Sequence, residues 1–316
     1  MSDAGPPQGA NAPLGGSAAA LAASVGATYG VAIAGVGNMG GAMAQRLLDQ
    51  RWPVHVFDVD PAKMEALQKL GAIPRDNPAH AVVGCGVLIV CVVDAAQTEE
   101  VLFGANGAAA AMGAGQTVML CPTIAPGDVE HFAQRLAEAG ISTIDAPMSG
   151  GPARARDGSM SLMVACEDDV FERRRLLIEV LSNKVFRISR RPGDGARTKL
   201  VNNLLAGINL AGAAEALAMA QRMGLDPAAT LDVIEQSSGQ SWIGSDRMRR
   251  AIAGDYEPRA HVTLLQKDTR LAVQAAQAAG FEGPLGGAAH DVFARAAQAG
   301  LGPLDDAALF KLLSGT

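Results

Sequence analysis

The segment Gly35-Val36-Gly37-Asn38-Met39-Gly40 constrains this chain more than any other, because of what stands on either side of it. Residues 29–34 read as a short apolar strand, 41–50 as a helix and 54–58 as a second strand. A Gly-x-Gly-x-x-Gly loop in that setting gives each glycine a task. One makes a tight turn, one lets the backbone approach a pyrophosphate, and one lets the helix pack closely while its N-terminus receives the phosphates. The spacing alone is common; the strand-loop-helix-strand context is what points to a dinucleotide. Asp58 ends the second strand about 18 residues after Gly40, where a carboxylate accepts hydrogen bonds from the adenosine ribose. A 2′-phosphate would meet a like charge there and no Arg follows at once, so NAD is favoured over NADP. Asp58 as a mere helix cap is the plainer reading, but Asp60 suits that role better, just before Pro61.

Strands and helices continue to alternate. Strands are expected over 87–93, 117–120 and 142–145, with helices from about Gln97 and over 126–139. This pattern predicts an α/β fold, a doubly wound parallel sheet with helices on both faces. Ligands of such sheets lie outside the carboxyl ends of the strands, which directs Val93, Asp94, Thr123 and the loop after Asp145 toward one cleft. That loop, Ser149-Gly150-Gly151, offers a hydroxyl and unhindered backbone amides, a cradle for a carboxylate, though a bare linker would look the same. A nucleophilic serine is disfavoured, since the Gly-x-Ser-x-Gly elbow is absent.

Residues 193–224 form the longest element. Leu200, Leu204, Ile208, Ala211 and Leu217 recur at helical spacing, no proline interrupts, Asp194 stands where a cap belongs and Gly224 supplies a stop. A helix so long and apolar is expected to be interior. Arg197 and Lys199 oppose the helix dipole in its first turn, at a cost of a few tenths to about 1 kcal/mol each. Lys199 and Asn203 share a face. An amine and an amide so placed provide a base and a hold for an oxygen-bearing substrate, whereas the plain alternative is a solvated lysine. Past this helix, 228–236, 242–253, 262–280, 285–299 and 306–313 read as further helices. Alanine-rich faces at 211–220 and 272–279 suit a core or a dimer seam.

Composition narrows the class. With 316 residues, 49% apolar and 18% charged, the chain has core enough for two domains. A net charge of −6 and 4% aromatics argue against a nucleic-acid surface. Cys85, Cys91, Cys121 and Cys166 lack metal or redox spacing and read as buried thiols, with no metal site expected. The Ala/Gly/Pro-rich residues 1–28 contain no Lys or Arg, so they read as a disordered tail and not a signal peptide. The apolar run 81–93 is too short for a bilayer, which predicts a cytoplasmic protein without a membrane segment.

Four segments then converge. GVGNMG, DAPMSGG at 145–151, GDGARTKLVNN at 193–203 and the pair Lys267-Asp268 resemble, in order, the four signatures of the β-hydroxyacid dehydrogenase family. The resemblance covers 29–313. It implies a Rossmann domain over 29–192 and a helical domain over 193–316, joined by the long helix. It implies Lys199 as catalytic base, Ser149, Gly150 and Gly151 as the substrate carboxylate loop and Asn203 as a substrate-orienting amide. Thr123 would stand beside the nicotinamide and Lys267 would close over the cofactor. It also implies a small hydroxy-acid substrate and a homodimer or homotetramer. The family's Asp-x-Ser-Thr is Leu120-Cys121-Pro122-Thr123 here, a departure beside the nicotinamide. Within the family, 92–99, 199–207 and 237–242 resemble L-threonate dehydrogenases more than 3-hydroxyisobutyrate dehydrogenases, and tartronate semialdehyde reductases are the near rival. A decarboxylating 6-phosphogluconate-type enzyme is opposed by Asp58, an imine reductase by the lysine, and an idle scaffold by the joint presence of Lys199, Asn203 and Ser149.

Overall fold

A computed structural model describes residues 29–315; the expectation for 1–28 lies outside them. Gly30–Ala34 (β1) is followed by Asn38–Asp49 (α1), Val54–Phe57 (β2), Pro61–Gln68 (α2), Ile73–Pro74 (β3), the short helix Pro78–Ala81 (α3) and Cys85–Val90 (β4). Ala95–Phe103 (α4), Thr117–Leu120 (β5), Pro126–Glu138 (α5) and Ser142–Asp145 (β6) continue the alternation. The sheet runs β3-β2-β1-β4-β5-β6 with every pair parallel, so the chain reverses direction across the sheet between β1 and β4. That switch opens a crevice at the carboxyl ends of β1 and β4. The strands are apolar on both sides because helices cover both faces: Val31 and Ile33 belong to one core, Ala32 and Leu88 to the other.

The sheet extends further than the sequence suggests. Met148–Ser149 (β7), Gly151–Asp157 (α6), Ser161–Ala165 (β8), Asp168–Leu181 (α7) and Lys184–Ser189 (β9) follow β6. β8 pairs antiparallel with β6 and β7 and parallel with β9, giving nine strands, mostly parallel.

Asp194–Arg222 (α8) then runs 29 residues without a break. Pro227–Glu235 (α9), Trp242–Ile252 (α10), Val262–Ala278 (α11), Pro284–Ala296 (α12) and Leu309–Ser314 (α13) pack around it to form the helical half. Leu210, Ala214 and Leu217 of α8 meet Met248, Leu265, Phe293 and Leu309 in a third core. Beside that core, Asp305 and Asp306 are buried against Arg247 and Arg250.

Two expectations for α8 are corrected. Its cap is Gly193, not Asp194: Gly193 has φ 99°, which glycine alone adopts without strain, and Asp194 makes no cap hydrogen bond. The helix is also not interior all round. Val201 is 72% exposed and Met223 68%, with Leu205 and Met219 exposed between them. Unlike the run 81–93, α8 is long and apolar enough to cross a bilayer, yet its other side is the spine of the third core.

Candidate active site

The glycine loop shows three distinct constraints. Gly35 has φ +88°, and a Cβ there would lie 2.6 Å from the Cys91 carbonyl oxygen. A Cβ on Gly40 would lie 2.0 Å from the Gly35 carbonyl oxygen, so α1 touches the turn backbone to backbone. In front of Gly37 there is open space. No side chain caps α1, whose cap residue is Gly37, so its first amides face that space unpartnered by a side chain. This is the shape a pyrophosphate needs, and Asn38 and Met39 form the helix's first turn.

Asp58 stands just past β2 and accepts the Val36 N–H at 2.7 Å, tying the second strand to the glycine loop. Its other oxygen accepts the Asp60 N–H at 2.9 Å, while Asp60 caps α2 through Ala62 N–H, as the sequence suggests. Lys63 lies 3.7 Å from Asp58. Across the crevice, Val93 is about half exposed and donates its N–H to the Gln97 side chain. Asp94 faces the same end of the sheet but is itself the cap of α4, accepting the Gln97 N–H at 2.8 Å.

On the opposite side of the carboxyl edge, one carboxylate joins the two halves. Asp145, at the end of β6, accepts the N–H groups of Gly193 at 2.8 Å and Ala196 at 3.1 Å, and so caps α8 from 48 residues upstream. Burial pushes its carboxyl up to about 6, with the donated amides opposing. Arg197 does not stand free against the helix dipole, because it pairs with Asp194 and Glu130. Among the described residues Lys199 has no such partner. It is 8% exposed, and burial brings its amine down from 10.5 to about 8, with Asp268 opposing and Lys267 assisting. One turn on, buried Asn203 donates to Asp268 at 2.6 Å. Asp268 also pairs with Lys267 at 2.9 Å, and the Lys267 amine donates to the Thr123 carbonyl, just past the end of β5. Asn203, Asp268, Lys267 and Thr123 therefore form one polar chain from α8 through α11 to the sheet.

Asp268 belongs to this site although sequence reasoning gave it no role. The signal was its place next to Lys267 in the paired segment that the resemblance already marked. Ser149 ends β7, opposite Ser161, and Gly150 and Gly151 follow with φ 127° and 75°. Burial disfavours the thiolate at the cysteines, holding the Cys91 thiol up to about 12 and the Cys85 thiol up to about 11.

Comparison with known proteins bears on both halves of the chain. Residues 30–189 match the NAD binding domain of 6-phosphogluconate dehydrogenase. Residues 193–313 match the domain described as NAD-binding of NADP-dependent 3-hydroxyisobutyrate dehydrogenase. The chain is 40% identical to an L-threonate dehydrogenase of Cupriavidus necator over 90% of its own length and 96% of that protein. It is 32% identical to a 2-hydroxy-3-oxopropionate reductase of Escherichia coli, over 88% of this chain and 95% of that one. A crystal structure of a 3-hydroxyisobutyrate dehydrogenase from Salmonella typhimurium superposes with a TM-score of 0.85 at 34% identity, covering 90% of this chain and 99% of that one. A nicotinamide dinucleotide fits the open space at Gly37 and the carboxylate at Asp58, and the chain belongs to the β-hydroxyacid dehydrogenase family of NAD(P)-dependent oxidoreductases.

Proposed function

We propose that this enzyme oxidises a hydroxyl of a small polyhydroxylated acid, L-threonate fitting best, with Lys199 as the base. The observation that carries the reading is a buried lysine whose amine is moved toward neutrality, one helical turn before a buried asparagine, at the cleft where both halves meet. A neutral amine at that point takes the alcohol proton, and as ammonium it returns one in the reverse direction. Asn203, fixed by Asp268, orients the hydroxyl. Ser149, Gly150 and Gly151 hold the carboxylate. Gly35, Gly37, Asn38, Met39, Gly40, Asp58, Val93, Asp94, Thr123 and Lys267 line the dinucleotide, with Asp58 favouring NAD. Bound NAD would supply the acceptor for the hydride leaving the alcohol carbon. The L-threonate dehydrogenase relatives support the choice of substrate, and the exposed seryl and glutaminyl side chains at Ser237, Ser238 and Gln240 suit a hydroxylated ligand. The reading extends to a cytoplasmic homodimer or homotetramer.

The test is NAD reduction against L-threonate, D-glycerate, 3-hydroxyisobutyrate and 6-phosphogluconate, in wild type and Lys199→Ala. Turnover of L-threonate is expected to exceed the others and to fall about a thousandfold or more in the variant, with NAD affinity kept. Since the neutral amine is the active form for oxidation, kcat/KM should climb with pH toward a plateau above about 8, the reduction showing the opposite trend. Undiminished oxidation by Lys199→Ala would refute the assignment.

A further inference from the structure

Arg154 occupies a position that the sequence did not single out. It lies on α6, one turn past Gly150, and a Cβ on Gly150 would lie 2.8 Å from its Cδ. The side-chain stem therefore runs over the Ser149-Gly150 loop, and the guanidinium is only two bonds further on. Its Cζ stands 5.2 Å from the ring centroid of Trp242, the first residue of α10 in the helical half. Among the described residues Arg154 makes no ion pair, whereas Arg156 beside it pairs with Asp49. Exposed Asp157 feels its charge only as a minor influence, being held low first by Ser159.

Stacking on an indole face uses the plane of the guanidinium and leaves its N–H donors free at the edge. The loop beneath offers only neutral donors, a hydroxyl and amides. A free planar cation laid over a neutral carboxylate cradle is a donor set for a bidentate carboxylate. We infer that Arg154, held by Trp242 from across the cleft, is the residue that selects acids over uncharged alcohols at the Ser149-Gly150 loop. This inference rests on the hydroxy-acid reading above. It makes recognition of the carboxylate depend on both halves of the molecule, because the cation comes from one and its support from the other.

The experiment compares KM and kcat for L-threonate and its neutral primary amide in wild type, Arg154→Met, Arg154→Lys and Trp242→Leu, with thermal melting of each protein. In wild type the acid is expected to be preferred by about a hundredfold in KM, and Arg154→Met should cut that to under about threefold while kcat for the acid stays within about threefold. Arg154→Lys should recover part of the preference, and Trp242→Leu should fall between. An unchanged acid-to-amide ratio in Arg154→Met overturns the inference, as does an equal loss for acid and amide with a lowered melting temperature, which marks a structural strut. If wild type oxidises no acid in the four-member panel, the underlying hydroxy-acid reading fails instead, and this inference fails with it.

Discussion

Lys199 shows how a functional group is held at a thermodynamic cost. Its pKa is lower folded than unfolded, so between pH 8 and 10.5 the unfolded chain holds the extra proton and stability rises with pH. Below about 8 the full cost of the buried ammonium is present, on the order of 3 kcal/mol. Lys199→Met is therefore expected to melt higher than wild type at pH 7 while losing turnover, and the difference should shrink toward pH 10 in urea titrations. The glycines make a paired test. Gly37→Ala adds a methyl to open space, so the fold should keep its melting temperature while NAD binding weakens about tenfold or more. Gly40→Ala forces a methyl into the Gly35 carbonyl and should cost about 3 kcal/mol or more of stability. Such residues were legible because a one-letter pattern, glycines at fixed spacing or Lys and Asn four apart, already implies a shared surface. Arg154 was not, because its partner Trp242 lies on another element and no spacing along the chain announces it; Asp268 stood beside Lys267 in a legible pair, but its bond to Asn203 reaches it from another helix.

At the scale of elements, α8 was legible from periodicity and from its lack of proline, but its start was not. The capping carboxylate, Asp145, belongs to a strand tens of residues earlier, while the adjacent Asp194 instead engages Ser189 and Arg191. Asp145 titrates higher when folded, near 6, than the ordinary 3.8, so between these values the folded state holds more protons and gains stability as pH falls. Relative to Asp145→Asn, wild type should gain on the order of 1 kcal/mol between pH 7 and 5, measured by urea unfolding. Asp145→Ala leaves the Gly193 and Ala196 amides unpartnered and should destabilise at every pH. The strand β9 and helix α7 escaped sequence reading for physical reasons. β9 is an edge strand whose Lys184, Phe186 and Arg187 are exposed, and α7 hides Val170, Leu177 and Ile178 among a run of charges. Neither shows the apolar run that marked the inner strands.

For the whole molecule, the class of fold followed from alternation and composition, but the outer surface of the helical half did not. The sequence left the alanine-rich faces open between core and dimer seam. Ala211, Ala214 and Ala218 lie in the core, and the opposite face of α8 carries the large exposed side chains Val201, Leu205, Met219 and Met223. An apolar stripe of this kind is what a second copy of the chain would cover. Sedimentation should show a dimer or tetramer, and Leu205→Glu with Met219→Glu should shift it toward monomer with little loss of secondary structure. A single monomeric species for wild type at micromolar concentration would remove the oligomer from this account.

Because α8 is clamped at its first turn by a carboxylate of the sheet, every residue along it stands at a set reach from the strands, as marks stand on a ruler. The amine and the amide occupy the earliest marks, so their distance from the crevice is inherited from the clamp and not from the packing further along. Side chains on the later marks and on the helices beside them are then free to be exchanged, lengthening or narrowing the space beyond the reacting carbon while the proton-handling geometry stays where it was. Such a scaffold lends itself to relatives that share one chemistry and divide many acids among themselves.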